Sequence, residues 1–169
     1  MFFKEYMIKK KRTAGQTLLS VLLYIAATIL AAVSIILLIK VSSIGALVAF
    51  AWFFAAYRIS TGMKKEFEYT FANDNITIDV IMNASRRKRI ISFSLSEVSV
   101  IASADDERYS AQFSKKYDKT IDATSGSKNA NVYCALINAE IQTLVKFEPP
   151  YNALTELQKL APSKIIIKD

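Results

Sequence analysis

TAGQTLLSVLLYIAATILAAVSIILLIK (Thr13–Lys40) runs directly into VSSIGALVAFAWFFAAYR (Val41–Arg58), and the only charge before Arg58 is Lys40. The first apolar segment, about residues 14–39, is long enough to cross a hydrocarbon core of about 30 Å with some tilt. The second, Val41 to Tyr57, lies near the lower limit. It ends on Trp52, Phe53, Phe54 and Tyr57, aromatic side chains suited to the lipid–water boundary. The expectation is a two-helix transmembrane hairpin over 13–58, joined at Lys40 and two serines.

The flanking cations orient it. Lys9, Lys10, Lys11 and Arg12 precede the first span, and Arg58, Lys64 and Lys65 follow the second, while the connecting turn offers Lys40 alone. The positive-inside bias then puts both termini in the cytoplasm, in a multi-pass protein of the plasma membrane. A cleaved signal peptide fits poorly, because the apolar run is too long and a second one follows at once. Up to Arg58 seven cations stand against Glu5, whereas residues from Ile59 onward carry 15 basic and 14 acidic side chains. The high pI therefore belongs to the membrane flanks and does not suggest a nucleic-acid-binding domain, so no nucleic-acid partner is expected.

Within the spans, small residues recur four apart at Ala27 and Ala31 and at Gly45 and Ala49. That spacing lets helices approach closely in lipid, where packing drives association, and makes these four the candidate helix–helix contacts. The hydroxyls of Thr28 and Ser34 are placed to bond back to their own helix. With no acid and no broken segment at mid-depth, the hairpin reads as an anchor and not as a transport pathway.

After a linker at 59–63 the periodicity changes to two. Phe67, Tyr69 and Phe71 alternate with Glu66, Glu68 and Thr70, then Ile76, Ile78 and Val80 with Thr77 and Asp79, across a turn at Asn73 and Asp74 suited to positive φ. NASRRKR reads as the next turn, and Ile91, Phe93 and Leu95 alternate with serines beyond it. A helical turn is expected within DDERYSAQF, a strand at Lys119 to Thr124, and a last hairpin at Asn131 to Ile137 and Glu140 to Phe147. Pro149 and Pro150 then open a helix with Leu154, Leu157 and Leu160 on one face, which Pro162 stops. The fold class is a membrane α-helical hairpin plus a mostly-β domain over 64–169, of seven short antiparallel strands with a C-terminal helix. Residues 1–12 form a separate basic N-terminus.

The runs EFEYTFANDNITIDV, IISFSLSEVSVI and LVKFEPPYNALTELQKL resemble the bacterial PH-like membrane proteins, in which a short helical hairpin precedes a PH-like barrel. The resemblance implies a fold and a membrane location and no settled activity.

Chemistry-bearing clusters are few. The chain has no histidine, which removes the commonest general base and metal ligand, and its single Cys134 sits in the apolar run VYCALI. Asp105, Asp106 and Glu107 lack the spacing of a calcium loop. No catalytic residue, metal site or cofactor is expected, and the protein is not read as an enzyme. Arg86, Arg87, Lys88 and Arg89 are the candidate lipid-headgroup contacts, each worth about 1 kcal/mol at an anionic leaflet. The expected role is a membrane-anchored docking module for a protein partner. The alternatives are an anionic-lipid reader working through Arg86 to Arg89 and an accessory subunit of an envelope or transport complex.

Overall fold

A computed structural model describes residues 2–40, 44–83 and 85–167, with the side chains of 37–40 and 44–46 outside that description. The elements in chain order are β1 (Phe3–Lys9), α1 (Ala14–Lys40), α2 (Ile44–Gly62), β2 (Lys65–Ala72), β3 (Asn75–Met82) and β4 (Arg86–Ser94). They continue with β5 (Val98–Ser103), α3 (Glu107–Phe113), β6 (Lys119–Asp122), β7 (Tyr133–Asn138), β8 (Gln142–Phe147) and α4 (Tyr151–Leu160). The chain divides into two compact units. One comprises Met1–Lys11, Glu66–Ile81 and Arg86–Asp169; the other comprises Arg12–Lys65 with Met82–Ser85.

The helical unit begins with a reciprocal cap. Gln16 N–H donates to the Thr13 hydroxyl at 3.3 Å, and Thr13 N–H donates to Gln16 Oε1 at 3.2 Å, so Thr-x-x-Gln satisfies two otherwise unpaired donors. α1 and α2 pack along each other. Their contact is built of small side chains: Ser20, Ala27, Ala31 and Ser34 of α1, and Ala56 and Ser60 of α2, are all buried. Arg12 Nη2 donates to the Ser60 carbonyl at 2.7 Å, tying the entry of α1 to the last turns of α2. Thr28 and Ser34 donate to Tyr24 and Leu30 carbonyls at 2.8 Å, the back-bonding expected of isolated hydroxyls in an apolar helix. Large apolar side chains such as Leu22, Ile29, Phe50 and Phe54 point outward.

One helix, over 14–36, is long and apolar enough to cross a membrane among the described residues; the apolar stretch Leu47–Gly62 is shorter. The expected linker at 59–63 is largely the end of α2, which continues to Gly62.

The other unit holds two four-stranded sheets, ordered β1-β2-β3-β4 and β5-β7-β8-β6. Eight strands are present among the described residues, not seven, and the extra one is β1. It pairs antiparallel with β2 from Phe3↔Ala72 to Lys9↔Glu66. Residues read as a detached basic N-terminus are thus an edge strand of the domain. The strands are also not all antiparallel. β6 runs parallel to β8, from Lys119↔Thr143 to Asp122↔Lys146, because the α3 segment returns the chain to the start of β8 before it pairs.

The core between the sheets contains Phe67, Tyr69 and Phe71 of β2, Ile76 and Ile78 of β3, Phe93 of β4, and Val145 and Phe147 of β8. Each fully buried large apolar side chain contributes roughly 1.5–3 kcal/mol. Tyr69 spans the gap: its hydroxyl donates to Ala123 O at 2.6 Å, accepts from Glu148 N–H at 3.2 Å, and its ring meets Phe147 edge-on at 5.9 Å. α4 closes the unit with Ala153, Leu154 and Leu157 buried; Leu160 is 55% exposed and off that face. Beyond α4, Ile165 is fully buried and pairs in parallel with Ile101, so the C-terminal tail covers the outer edge of β5.

Candidate functional site

The outer face of the first sheet carries a cluster that alternation alone does not foretell. Phe67, Tyr69 and Phe71 turn β2 inward, so Glu66, Glu68 and Thr70 face out; likewise Thr77 and Asp79 of β3 face out beside Ile76 and Ile78. On β4, Ser92 shares this face, with its hydroxyl 2.9 Å from that of Thr77. Extrapolated by twos from Ser92, Arg87 and Arg89 belong to the core side. They are not there. Ile90 and Ile91, adjacent in sequence, both pack against the core, and the alternation skips a residue, as at a β-bulge. The skip swings Arg87 and Arg89 outward.

Arg87 Nη2 then lies 2.5 Å from Glu68 Oε2, and its Nε donates to Asp79 Oδ2 at 2.7 Å. Arg89 Nε stands 3.6 Å from the other oxygen, Asp79 Oδ1, a buried atom that accepts no hydrogen bond among the described residues. Glu68 is 7% exposed and Asp79 5%, unusual burial for acids on an outward face. The hydrogen bond from Arg87 to Asp79 holds its guanidinium even more firmly protonated than usual, with Glu68 adding to the effect. Above these groups an open polar cleft of about 490 Å³ is lined by Glu5, Thr70, Thr77, Asp79, Arg87 and Arg89.

A second cleft, of about 640 Å³, lies beside β4, which has no further strand on its outer side among the described residues. Ile91, Ser92 and Phe93 form one wall, and Ile137, Ile141 and Thr143 of the β7–β8 hairpin contribute to the other, with Lys119 and Glu140 among its charges.

The four cations read as one headgroup patch therefore divide. They begin β4 and do not form the turn, which lies before Arg86 and includes Asn83 at φ 54°. Arg87 and Arg89 are committed to buried acids; Arg86 and Lys88 are exposed and in no ion pair among the described residues. Of the candidate helix contacts, Ala27 and Ala31 are buried and Ala49 is half-buried, while the surroundings of Gly45 lie outside the described residues. The buried partners Ser20, Ser34, Ala56 and Ser60 went unread, although Ser/Ala at steps of three, four and seven was the available signal.

Asp106 is the N-cap of α3, accepting from Arg108 N–H at 3.0 Å and pairing with its guanidinium at 2.7 Å. Cys134 is buried, and desolvation pushes its thiol up to about 11. No group of three or more potential metal-ligating side chains occurs among the described residues.

No curated protein and no solved structure matches the chain. A family model described as "Bacterial PH-like domain (DUF6106)" matches residues 2–167, which takes in β1, both apolar helices and every strand of the two sheets. With a module of that kind non-catalytic binding is the general expectation, and the chain belongs to this bacterial PH-like domain family.

Proposed function

We propose that this protein is a membrane-anchored, non-catalytic docking module, held at the inner membrane face by a hairpin that crosses the bilayer twice. The observation that carries the reading is the pairing of β1 with β2. They are hydrogen-bonded neighbours, yet α1 and α2 lie between them in sequence. Chain that leaves the sheet at Lys9 comes back to it at Glu66, which supports a hairpin with both ends on one side of the membrane and two crossings. α1 is long enough for one crossing. The 19 residues of α2 extend about 28 Å at 1.5 Å per residue, close to the hydrocarbon thickness. Lys9 to Arg12 and Lys64 to Lys65 favour the cytoplasm for that side.

The docking surface in this reading is the outer edge of β4 with its cleft. An uncovered edge presents unpaired N–H and C=O groups to an extended segment, and the side-chain cleft supplies selectivity. The edge of β5 is a poorer choice because Ile165 already occupies it. An anionic-lipid reading retains Arg86 and Lys88 as contacts, but two of its four cations are engaged elsewhere.

The test is photocrosslinking in the native membrane from single positions. Ser92 and Ile141, at the cleft, are expected to give one discrete protein adduct that Thr155, on α4, does not give. Equal adducts from all three positions, or none from the cleft, contradict the reading.

A further inference from the structure

We infer that the segment following α4 is a strap that holds the docking cleft in shape from behind, with Lys164 as its positioning residue; this control of the site rests on the docking reading above. The backbone of the strap is fixed first. Lys164 O accepts from Ile101 N–H at 2.7 Å, and Ile166 N–H donates to Ile101 O at 2.9 Å, so β5 grips the segment on both sides of Ile165. Ile165 is fully buried, and Gln158 of α4 donates through Nε2 to its carbonyl at 3.1 Å.

From that anchored backbone the Lys164 ammonium reaches the corner between β4 and β5. Its Nζ donates to Leu95 O at 2.8 Å and to Ser96 O at 3.0 Å. Residues 95–97 reverse the chain between the two strands, and carbonyls in so short a reversal turn away from the ladders that would satisfy them. An ammonium is a compact charge with three donors, and its bonds are stronger than neutral ones, so one side chain fixes two successive peptide planes. Leu95 O also accepts from Val98 N–H, but at 3.3 Å.

The corner leads straight to the cleft. Glu97 lines the cleft, as do Asn138 and Ala139 at the tip of the β7–β8 hairpin. Glu97 O accepts from Asn138 N–H at 2.9 Å, and Glu97 Oε2 accepts from Ser94 N–H, at the end of β4, also at 2.9 Å. Glu97 therefore joins the β4 wall to the hairpin wall, and Lys164 holds the two carbonyls that come just before it. With Lys164 seated, the walls keep one spacing, and an extended segment laid on the edge of β4 meets a preformed site. With it unseated, the corner opens locally and the site must be ordered at each encounter.

The test compares the full-length wild type with Lys164→Met, which keeps the apolar stem and loses the donors, and with Lys164→Arg, which keeps donors and charge. Two quantities are read: amide hydrogen exchange at Glu97, Val98 and Asn138 in nanodiscs, and the protein adduct from a photocrosslinker at Ser92 in the native membrane. Lys164→Met should speed exchange at the corner by roughly tenfold, the factor that one charge-assisted hydrogen bond is worth, and should reduce the Ser92 adduct. Lys164→Arg should restore a large part of both. Tyr69→Phe, which destabilises the fold away from the corner, should alter neither, which separates positioning from general loss of stability. Unchanged corner exchange in Lys164→Met overturns the strap, and so does a Ser92 adduct that persists in that variant or falls equally in Tyr69→Phe. A wild type that gives no Ser92 adduct instead removes the docking reading, and the strap's role with it.

Discussion

Arg87 of β4 reaches across β3 to Glu68 of β2, with Nη2 and Oε2 2.5 Å apart on the outward face of the sheet. The same side chain holds Asp79 at 2.7 Å, so one half-exposed guanidinium accounts for two buried acids. Removing it strands Glu68 and leaves Asp79 only the longer contact to Arg89. Arg87→Met is expected to lower stability more than Arg89→Gln does, because it takes the close cationic partner from two acids that are themselves buried. Arg89→Gln, at a more exposed and longer-range pair, should cost about 1 kcal/mol or less. Denaturant unfolding of the two full-length variants in the same detergent compares them directly. Equal losses would mean that the bridge does not organise this face.

Tyr69 predicts an alkaline limit to stability. Burial, the largest influence, raises the ionisation of its phenol well above the ordinary tyrosine value of about 10. Below that ordinary value both folded and unfolded chains keep the proton, and the contribution is fully present. As pH rises past about 10 the unfolded chain releases the proton and the folded one does not, so stability falls. Tyr69→Phe should flatten this part of the pH profile while costing about 1–2 kcal/mol at neutral pH, since it leaves the Ala123 carbonyl unpaired. An unchanged alkaline slope in the variant would contradict the assignment.

Cys134 should be silent. A buried thiol with its ionisation pushed up to about 11 is overwhelmingly protonated at pH 8 and shielded from reagents. Maleimide labelling of the native protein at that pH is expected to fail and to proceed on unfolding. Rapid native labelling would show that the β7 face opens.

The hairpin interface should tolerate size changes unequally. Ala31→Leu forces three further carbons into a contact built from Ser20, Ala27, Ala56 and Ser60, with an expected cost of about 1–3 kcal/mol. Leu22→Ala, on an outward face, should cost much less. Helix-pair crosslinking between cysteines placed at Ala27 and Ala56 reports the difference.

Much of this was legible along the chain because local pattern and tertiary outcome agree. The inward set Phe67, Tyr69, Phe71, Ile76 and Ile78 follows a period of two without interruption, and Asn73 takes the positive φ of 53° expected of its turn. What stayed hidden depends on partners distant in sequence. β1 meets β2 only after some sixty intervening residues, and its FKEYMIK pattern puts exposed Phe3 and Met7 on the outer face, so no apolar alternation marks it. The parallel partner of β6 is likewise set by the path of the chain. At the cleft, the skipped residue at Ile90 and Ile91 decides whether Arg87 faces core or solvent. Two adjacent isoleucines were the available sign that the strand is irregular there.

The proposal that α1 and α2 cross the membrane as a hairpin, with β1 and β2 paired on one side of it, is best tested by side-specific labelling of single cysteines in the full chain, using intact cells and an impermeant maleimide. Three positions suffice: Phe3 on β1, Ser114 at the end of α3, and Ser42 between the helices. The account predicts that Ser42→Cys labels from outside, while Phe3→Cys and Ser114→Cys label only after the membrane is opened. Phe3 and Ser114 on opposite sides, or all three on one side, would contradict it.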